Sequence, residues 1–400
     1  MRNSVLCADL LLYVPSVLYF INSFKGQPSR SSLTLAAFML YSGQILIDNG
    51  HFQYNNISLG LFLLAVAFLL RQRPYSASVA FVAALSYKQM ELYHALPFFF
   101  YLLGLCWQEK SIFKLIKIGL CVIVTFALLW WPFLPHLPQV LTRIFPVKRG
   151  LFEDKVSNFW CALNVVFKLK ATYQPDLLAL LSAVATLAFA LPPNLVLFKN
   201  PRHGQMIWTL LNTSLAFFLF SYQVHEKSIL LVAIPMMMTL ALNRKGQRFC
   251  DLMTAWFLLT TTFSMWPLLQ KDGLALAAVA LQVIFLVFCQ FSGLLDIKLM
   301  QGQDEKRSSP KAMTSNDLAK TSIQDFLVWT AFNLSLVGFA VLVFGSLLME
   351  PPKQYPHLWP LLISLFSAAH YLMAFVPYFW WCQYQDLLHY TLQTKEKKLN

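Results

Sequence analysis

Charge is scarce in this sequence. Only 12% of its 400 residues are Asp, Glu, Lys or Arg, against about 25% in soluble domains, and that deficit excludes a water-soluble enzyme. Seven cysteines are too few for a disulfide scaffold, and a hydrophobic fraction of 58% is the opposite of what a disordered chain carries. Cys-x-x-Cys, His-Glu-x-x-His and a P-loop are all missing, which argues against zinc and ATP sites. Asp-x-Asp, the divalent-metal grip of many nucleotide-sugar transferases, is missing too. What is abundant is apolar sequence of helical length, so the expected fold class is an all-α polytopic membrane protein.

A spanning helix needs about 20 apolar residues, each rising about 1.5 Å. Thirteen candidate spans can be read, near residues 5–22, 33–47, 58–70, 75–87, 95–107, 112–134, 177–198, 206–222, 228–242, 252–269, 273–297, 325–349 and 358–382. Those starting at 58, 75 and 95 are short, and must borrow flanking residues or sit inside the bundle. The expectation is one transmembrane domain over 1–400, with a long loop at 135–176, a polar loop at 298–324 and a C-terminal tail at 383–400.

The net charge of +13 has two ordinary sources, nucleic-acid binding and the basic bias of cytoplasmic loops. The basic residues lie between the apolar runs, which favours the second source and sets nucleic acid aside. Twenty Lys and Arg fall in loops on one side of the membrane and eleven on the other, six of those in the long loop. The first side is read as cytosolic, and the C-terminus lies on it. The terminal Lys397-Lys398-Leu399-Asn400 resembles the dilysine retrieval signal of endoplasmic reticulum membrane proteins. Only Cys161 sits in a loop of the opposite, lumenal side, so no intrachain disulfide is expected.

Sorting polar motifs by side is informative. Asp48-Asn49-Gly50-His51-Phe52-Gln53-Tyr54-Asn55, Tyr87-Lys88-Gln89-Met90-Glu91-Leu92-Tyr93-His94, the stretch from Phe145 to Asp154, and Gln223-Val224-His225-Glu226-Lys227 all face the lumen. Ionisable groups at membrane depth are expensive, about 2.5 to 3.5 kcal/mol each on insertion scales, so their gathering on one face points to a shared polar cavity. Singly, each has a plainer reading. His51, His94 and His225 could be helix-end histidines, Lys88 and Lys227 could snorkel to the interface, and the aromatics could be an interfacial belt. Between Asp154 and Lys170, Val156, Phe159, Trp160, Leu163, Val166 and Phe167 repeat at helical period, which predicts an amphipathic helix on the lumenal leaflet.

At these residues the chain resembles the endoplasmic reticulum glucosyltransferases that use dolichyl-phosphate glucose to extend the lipid-linked oligosaccharide of N-glycosylation. The matching strings are GHFQYN at 50–55, YKQMELYHALPFF at 87–99, FPVKRGLFEDKVSNFWC at 145–161 and QVHEKSILL at 223–231. The second and third are similar to the member that adds the first glucose. The resemblance implies a GT-C helical bundle and an inverting transfer from dolichyl-phosphate glucose to a mannose of the dolichol-linked oligosaccharide, giving an α-1,3 linkage in the endoplasmic reticulum membrane. A departing lipid phosphate gains negative charge, so preorganised cations beside it lower the barrier; His225, Lys227 and Arg149 are candidates. Gln53, Asn55 and Glu91 would hydrogen-bond sugar, Tyr54 or Tyr93 would offer it an apolar face, and His51, Lys88, His94 and Glu226 complete the binding set. A monophosphate donor needs no metal, so no metal or other cofactor is expected.

Family members begin with a further span and a first lumenal loop carrying the general-base aspartate, and this chain aligns from the equivalent of their second span. Asp48 and Asp154 are then the remaining candidates for the base. The alternatives are a catalytically incomplete chain that binds lipid or acts as a scaffold, the paralogue adding the second glucose, and a transporter.

Overall fold

A computed structural model describes residues 2–24, 28–144, 155–242, 247–295 and 315–399. Among them the regular structure is helical, with no strand, as a bilayer demands: a helix satisfies its own peptide groups where no water can. Helix lies in each of the thirteen ranges read as spans. Among the described residues, five helices are by themselves long and apolar enough to cross a membrane, at Asn3–Ile21, Ile112–Ile144, Pro175–Lys199, Phe326–Leu348 and Leu358–Leu392. The chain is a multi-pass membrane protein.

The path starts with α1 (Arg2–Ala8), which runs through a π-helical turn at Asp9–Tyr13 into α2 (Val14–Ile21). The next span is broken. α3 (Pro28–Leu40) stops where Tyr41 is extended, with ψ 109°, and helix resumes as α4 (Ser42–Gln44) and a second π-helical turn at Ile45–Gly50. α5 (Asn55–Leu70) and α6 (Pro74–Tyr87) pack against each other, Pro74 supplying a φ already suited to a first turn. α7 (Leu92–Gln108), α8 (Ile112–Trp130) and α9 (Leu137–Ile144) follow, and Ser111 caps α8 by accepting the Lys114 backbone N–H at 3.3 Å.

The second half comprises α10 (Phe159–Phe167), α11 (Leu169–Thr172), α12 (Pro175–Lys199), α13 (His203–Phe220), α14 (Leu230–Met238), α15 (Gln247–Ser264), α16 (Trp266–Lys271) and α17 (Ala275–Phe291). α18 (Ser315–Leu348), α19 (Leu358–His370) and α20 (Val376–Leu399) complete it. α13 is the core: from Gln205 to Phe220 only Phe217 escapes burial. Its polar residues tie neighbouring helices together, as polar groups do where apolar burial gives no drive for association. Asn212 donates to Gln383 at 2.8 Å, Gln383 donates to Thr209 at 2.9 Å, and Asn194 of α12 donates to Thr213 at 2.8 Å. At Gly104 of α7 an added Cβ would lie 2.5 Å from the Phe198 carbonyl oxygen, so the missing side chain lets α12 approach.

Loops are shorter than expected. The polar loop drawn over 298–324 is helix from Ser315 onward, the tail drawn over 383–400 continues as α20 to Leu399, and the loop at 135–176 contains α9, α10 and α11. Good helix formers such as Leu318, Ala319 and Lys320, or Lys395, Glu396 and Lys397, carry the turn on wherever no Pro or Gly stops it. The amphipathic helix expected from Asp154 to Lys170 begins only at Phe159, where Asn158 accepts the Cys161 backbone N–H at 2.8 Å, and ends at a left-handed Lys168. Its apolar side is divided. Trp160 is buried and donates to the Phe220 carbonyl at 2.7 Å, whereas Val166 and Phe167 are exposed. None of the seven cysteines is joined in a disulfide.

Candidate functional site

Two π-helical and 3-10 junctions, rather than regular helix, shape the site. Between the turn at Ile45–Gly50 and α5, Phe52 and Tyr54 both adopt left-handed backbone, with φ 57° and 54°. Such conformations are strained for residues with a Cβ, by about 1 to 3 kcal/mol each, and persist only where the surroundings overdetermine them. Here the turn is tied from several sides. His51 Nδ1 pairs with Asp272 Oδ2, and the Tyr54 hydroxyl lies 2.8 Å from Ser4 Oγ. The Lys88 ammonium donates to the Gln53 carbonyl at 3.0 Å and to the Asn55 amide oxygen.

Asp48 supplies what the turn cannot. Tyr54 occupies the capping position of α5 and makes no side-chain cap, yet first-turn N–H groups need acceptors. Oδ2 of Asp48 accepts the Asn56 backbone N–H. The Asp48 side chain is fully buried, and burial pushes its carboxyl up to about 6 against the opposing pull of the Asn56 N–H and of Lys88.

Behind the turn lies a buried pair. His94 Nδ1 is 2.8 Å from Glu91 Oε2, His94 Nε2 is 2.8 Å from the Leu231 carbonyl, and Ser58 donates to Glu91 Oε1 at 2.7 Å. Phe62 stacks on the His94 ring with centroids 4.0 Å apart. The arrangement fastens α5, α7 and α14 together.

These contacts frame a small cleft. Asn55 and Ser58 of α5, Lys88, Met90 and Glu91 from the segment between α6 and α7, and Lys227 from the 3-10 turn at Glu226–Ile229 all line it. Two ammonium groups therefore converge on one opening. Burial holds Lys88 below its ordinary value, and repulsion from Lys227 acts in the same direction, against the attraction of Asp48 and Glu91. An anion placed there would relieve the repulsion and collect charge-assisted hydrogen bonds.

Three of the four polar motifs thus meet, through Asn55, Lys88, Glu91 and Lys227. Others stand elsewhere. Tyr54 turns toward Ser4, His51 toward Asp272, and Tyr93 is buried against Phe217 with ring centroids 5.3 Å apart. Gln53 contributes its backbone carbonyl to Lys88, and both oxygens of Glu91 are taken by Ser58 and His94. His225 is exposed at the start of the 3-10 turn, with Glu226 beside it. Asp48 does not line the cleft, because the π-helical turn carries it beneath α5. Arg149 and Asp154 lie outside the described residues. Ser58 was not anticipated, although its position three residues after Asn55 places both on one helical face. Asp272, Asn56 and Asp9 had no local signal at all. Among the described residues no three His, Cys, Asp or Glu side chains gather as a metal-ligand set.

The family model described as the ALG6, ALG8 glycosyltransferase family matches residues 1–378. The chain belongs to this family. It is 44% identical over 388 residues to a protein of Drosophila melanogaster named probable dolichyl pyrophosphate Man9GlcNAc2 alpha-1,3-glucosyltransferase, which covers 94% of the chain and 74% of the relative. A Gallus gallus protein of the corresponding name is 40% identical over 396 residues, covering 95% of the chain and 75% of the relative. One from Arabidopsis thaliana is 35% identical over 412 residues, covering the whole chain and 72% of the relative. The three polar motifs that meet at the cleft all lie within the segment matched to the family.

Proposed function

We propose that this chain transfers the first glucose from dolichyl-phosphate glucose to dolichyl-pyrophosphate Man9GlcNAc2, forming an α-1,3 linkage with inversion. The observation that carries this reading is the convergence of Lys88 and Lys227 on one cleft, and the names of the relatives support the choice of acceptor. The acceptor hydroxyl attacks C1 of glucose from the side opposite the phosphate. As the C1–oxygen bond breaks, its electron pair and a full negative charge pass to the lipid phosphate, and the hydroxyl proton goes to a base. Preorganised ammonium groups stabilise that developing charge, a contribution of about 3 to 4 kcal/mol for a single well-placed donor. Asn55 orients the sugar. We assign no metal to the reaction, because the departing dolichyl phosphate, a monoester that takes on its second negative charge as the diester's C1–oxygen bond breaks, is met by the two lysines.

The excess of Lys and Arg in loops on one side of the membrane supports a cleft on the opposite, lumenal side of the endoplasmic reticulum membrane. The purified chain in nanodiscs, given both lipid substrates, should yield an oligosaccharide one hexose heavier that an α-glucosidase trims back. Absence of both product and donor binding would overturn the reading.

A further inference from the structure

Asp48 is too deeply placed to touch a substrate, yet everything around it leads to the cleft. The π-helical turn at Ile45–Gly50, with its wider winding, sets the carboxyl beneath the first turn of α5. One oxygen accepts the Asn56 N–H, while the other has no hydrogen-bond partner among the described residues. Asn56 is also fastened through its side chain, which accepts from Gln44 and donates to Asp9 at 2.5 Å. Three groups thus grip one residue, and its neighbour Asn55 is the one that receives the Lys88 ammonium at the cleft.

We propose that Asp48 is a positioning residue for the cleft, holding the first turn of α5 so that the Asn55 amide oxygen keeps the Lys88 ammonium in place. This rests on the cleft being the site of the donor phosphate. The groups facing Asp48 are Tyr13 from the first helical stretch, Tyr87 and Lys88 from the end of α6, and Asn55 and Asn56 of α5, while Asp9 bonds the side chain of Asn56 and acts on Tyr13. Lys88 is the cation among them. A carboxylate at position 48 therefore attracts the lysine as well as capping the helix, whereas the protonated acid does only the second.

The test is equilibrium binding of radiolabelled dolichyl-phosphate glucose to the full chain in nanodiscs, from pH 5 to 8, for wild type, Asp48→Asn, Asp48→Ala and Lys227→Met. Asp48→Ala should weaken binding about tenfold, in line with loss of a helix cap, and should speed hydrogen exchange at Asn56 while leaving α13 unchanged. Asp48→Asn, whose amide oxygen still accepts the Asn56 N–H, should stay within about threefold of wild type. Wild-type affinity should fall as the pH drops through about 6, and Asp48→Asn should lack that component. If Lys227→Met weakens binding but Asp48→Ala does not, the positioning role is wrong and the cleft stands. If Lys227→Met leaves binding unchanged, the cleft reading falls and takes this role with it. Should Asp48→Ala fail to fold, Asp48→Asn decides, since a pH profile superimposable on wild type would overturn the proposal.

Discussion

Glu91 and His94 lie one turn apart with Oε2 2.8 Å from Nδ1, and neither side chain reaches the surface. The sequence pattern suggested two polar groups facing a substrate, but the fold uses them as an internal brace between α5, α7 and α14. Glu91→Ala leaves the His94 Nδ1 without its partner and Ser58 with only its longer contact to the Ala84 carbonyl at 3.3 Å, in a dry interior, and should destabilise the protein by about 3 to 5 kcal/mol. Glu91→Gln, which keeps an acceptor, should lose about 1 to 2 kcal/mol. Thermal unfolding in detergent, followed by labelling of the buried Cys106, measures both. An unchanged midpoint for the alanine variant would contradict the brace.

Lys88 and Lys227 differ in what each also supports. Lys227→Met should weaken donor binding about tenfold through loss of one charge-assisted contact. Lys88→Met removes the same kind of contact and also releases Gln53 and Asn55 of the strained turn, so its effect should reach about a hundredfold. Raising the salt concentration should shrink the difference between wild type and Lys227→Met, because ions screen the part of the attraction open to solvent.

Asp48 makes stability depend on pH with a definite sign. Its carboxyl is held at about 6 in the fold, above the value of about 3.9 in an unfolded chain, so the folded state binds the proton more tightly. Its stabilising contribution is complete below about pH 4 and is lost as the pH rises through 6, an effect of about 3 kcal/mol. The midpoint of wild type relative to Asp48→Asn should therefore rise on acidification from pH 7.5 to pH 4.5. A flat difference would show that the carboxyl titrates normally.

Gly104 and Gly119 provide a matched pair for helix packing. A Cβ at Gly104 meets the Phe198 carbonyl oxygen at 2.5 Å, whereas nothing lies within 4 Å at Gly119. Gly104→Ala should force α7 and α12 apart and destabilise by about 1 to 3 kcal/mol. Gly119→Ala should be neutral or stabilising by up to about 1 kcal/mol, because alanine is the better helix former. Comparing the two thermal midpoints checks the close approach directly.

The helical, membrane-spanning class was legible residue by residue, since length and hydropathy are properties of a contiguous stretch and a bilayer leaves the backbone few alternatives. The motifs holding Asn55, Lys88, Glu91 and Lys227 could likewise be picked out, because ionisable groups stand out against 58% hydrophobic sequence. Their division of labour could not. Whether a side chain faces a cleft or a partner depends on residues far away in the chain: Asp272 for His51, Leu231 for His94, Ser4 for Tyr54. The left-handed Phe52 and Tyr54 and the π-helical turn that buries Asp48 are likewise products of packing, because no local propensity favours them and only the surrounding contacts offset their strain. Sequence by itself determined that this protein lives in a membrane and carries its ionisable groups in a few short motifs; tertiary structure alone decided which of those groups meet, since burial and long-range hydrogen bonds act between segments that the order of residues leaves apart.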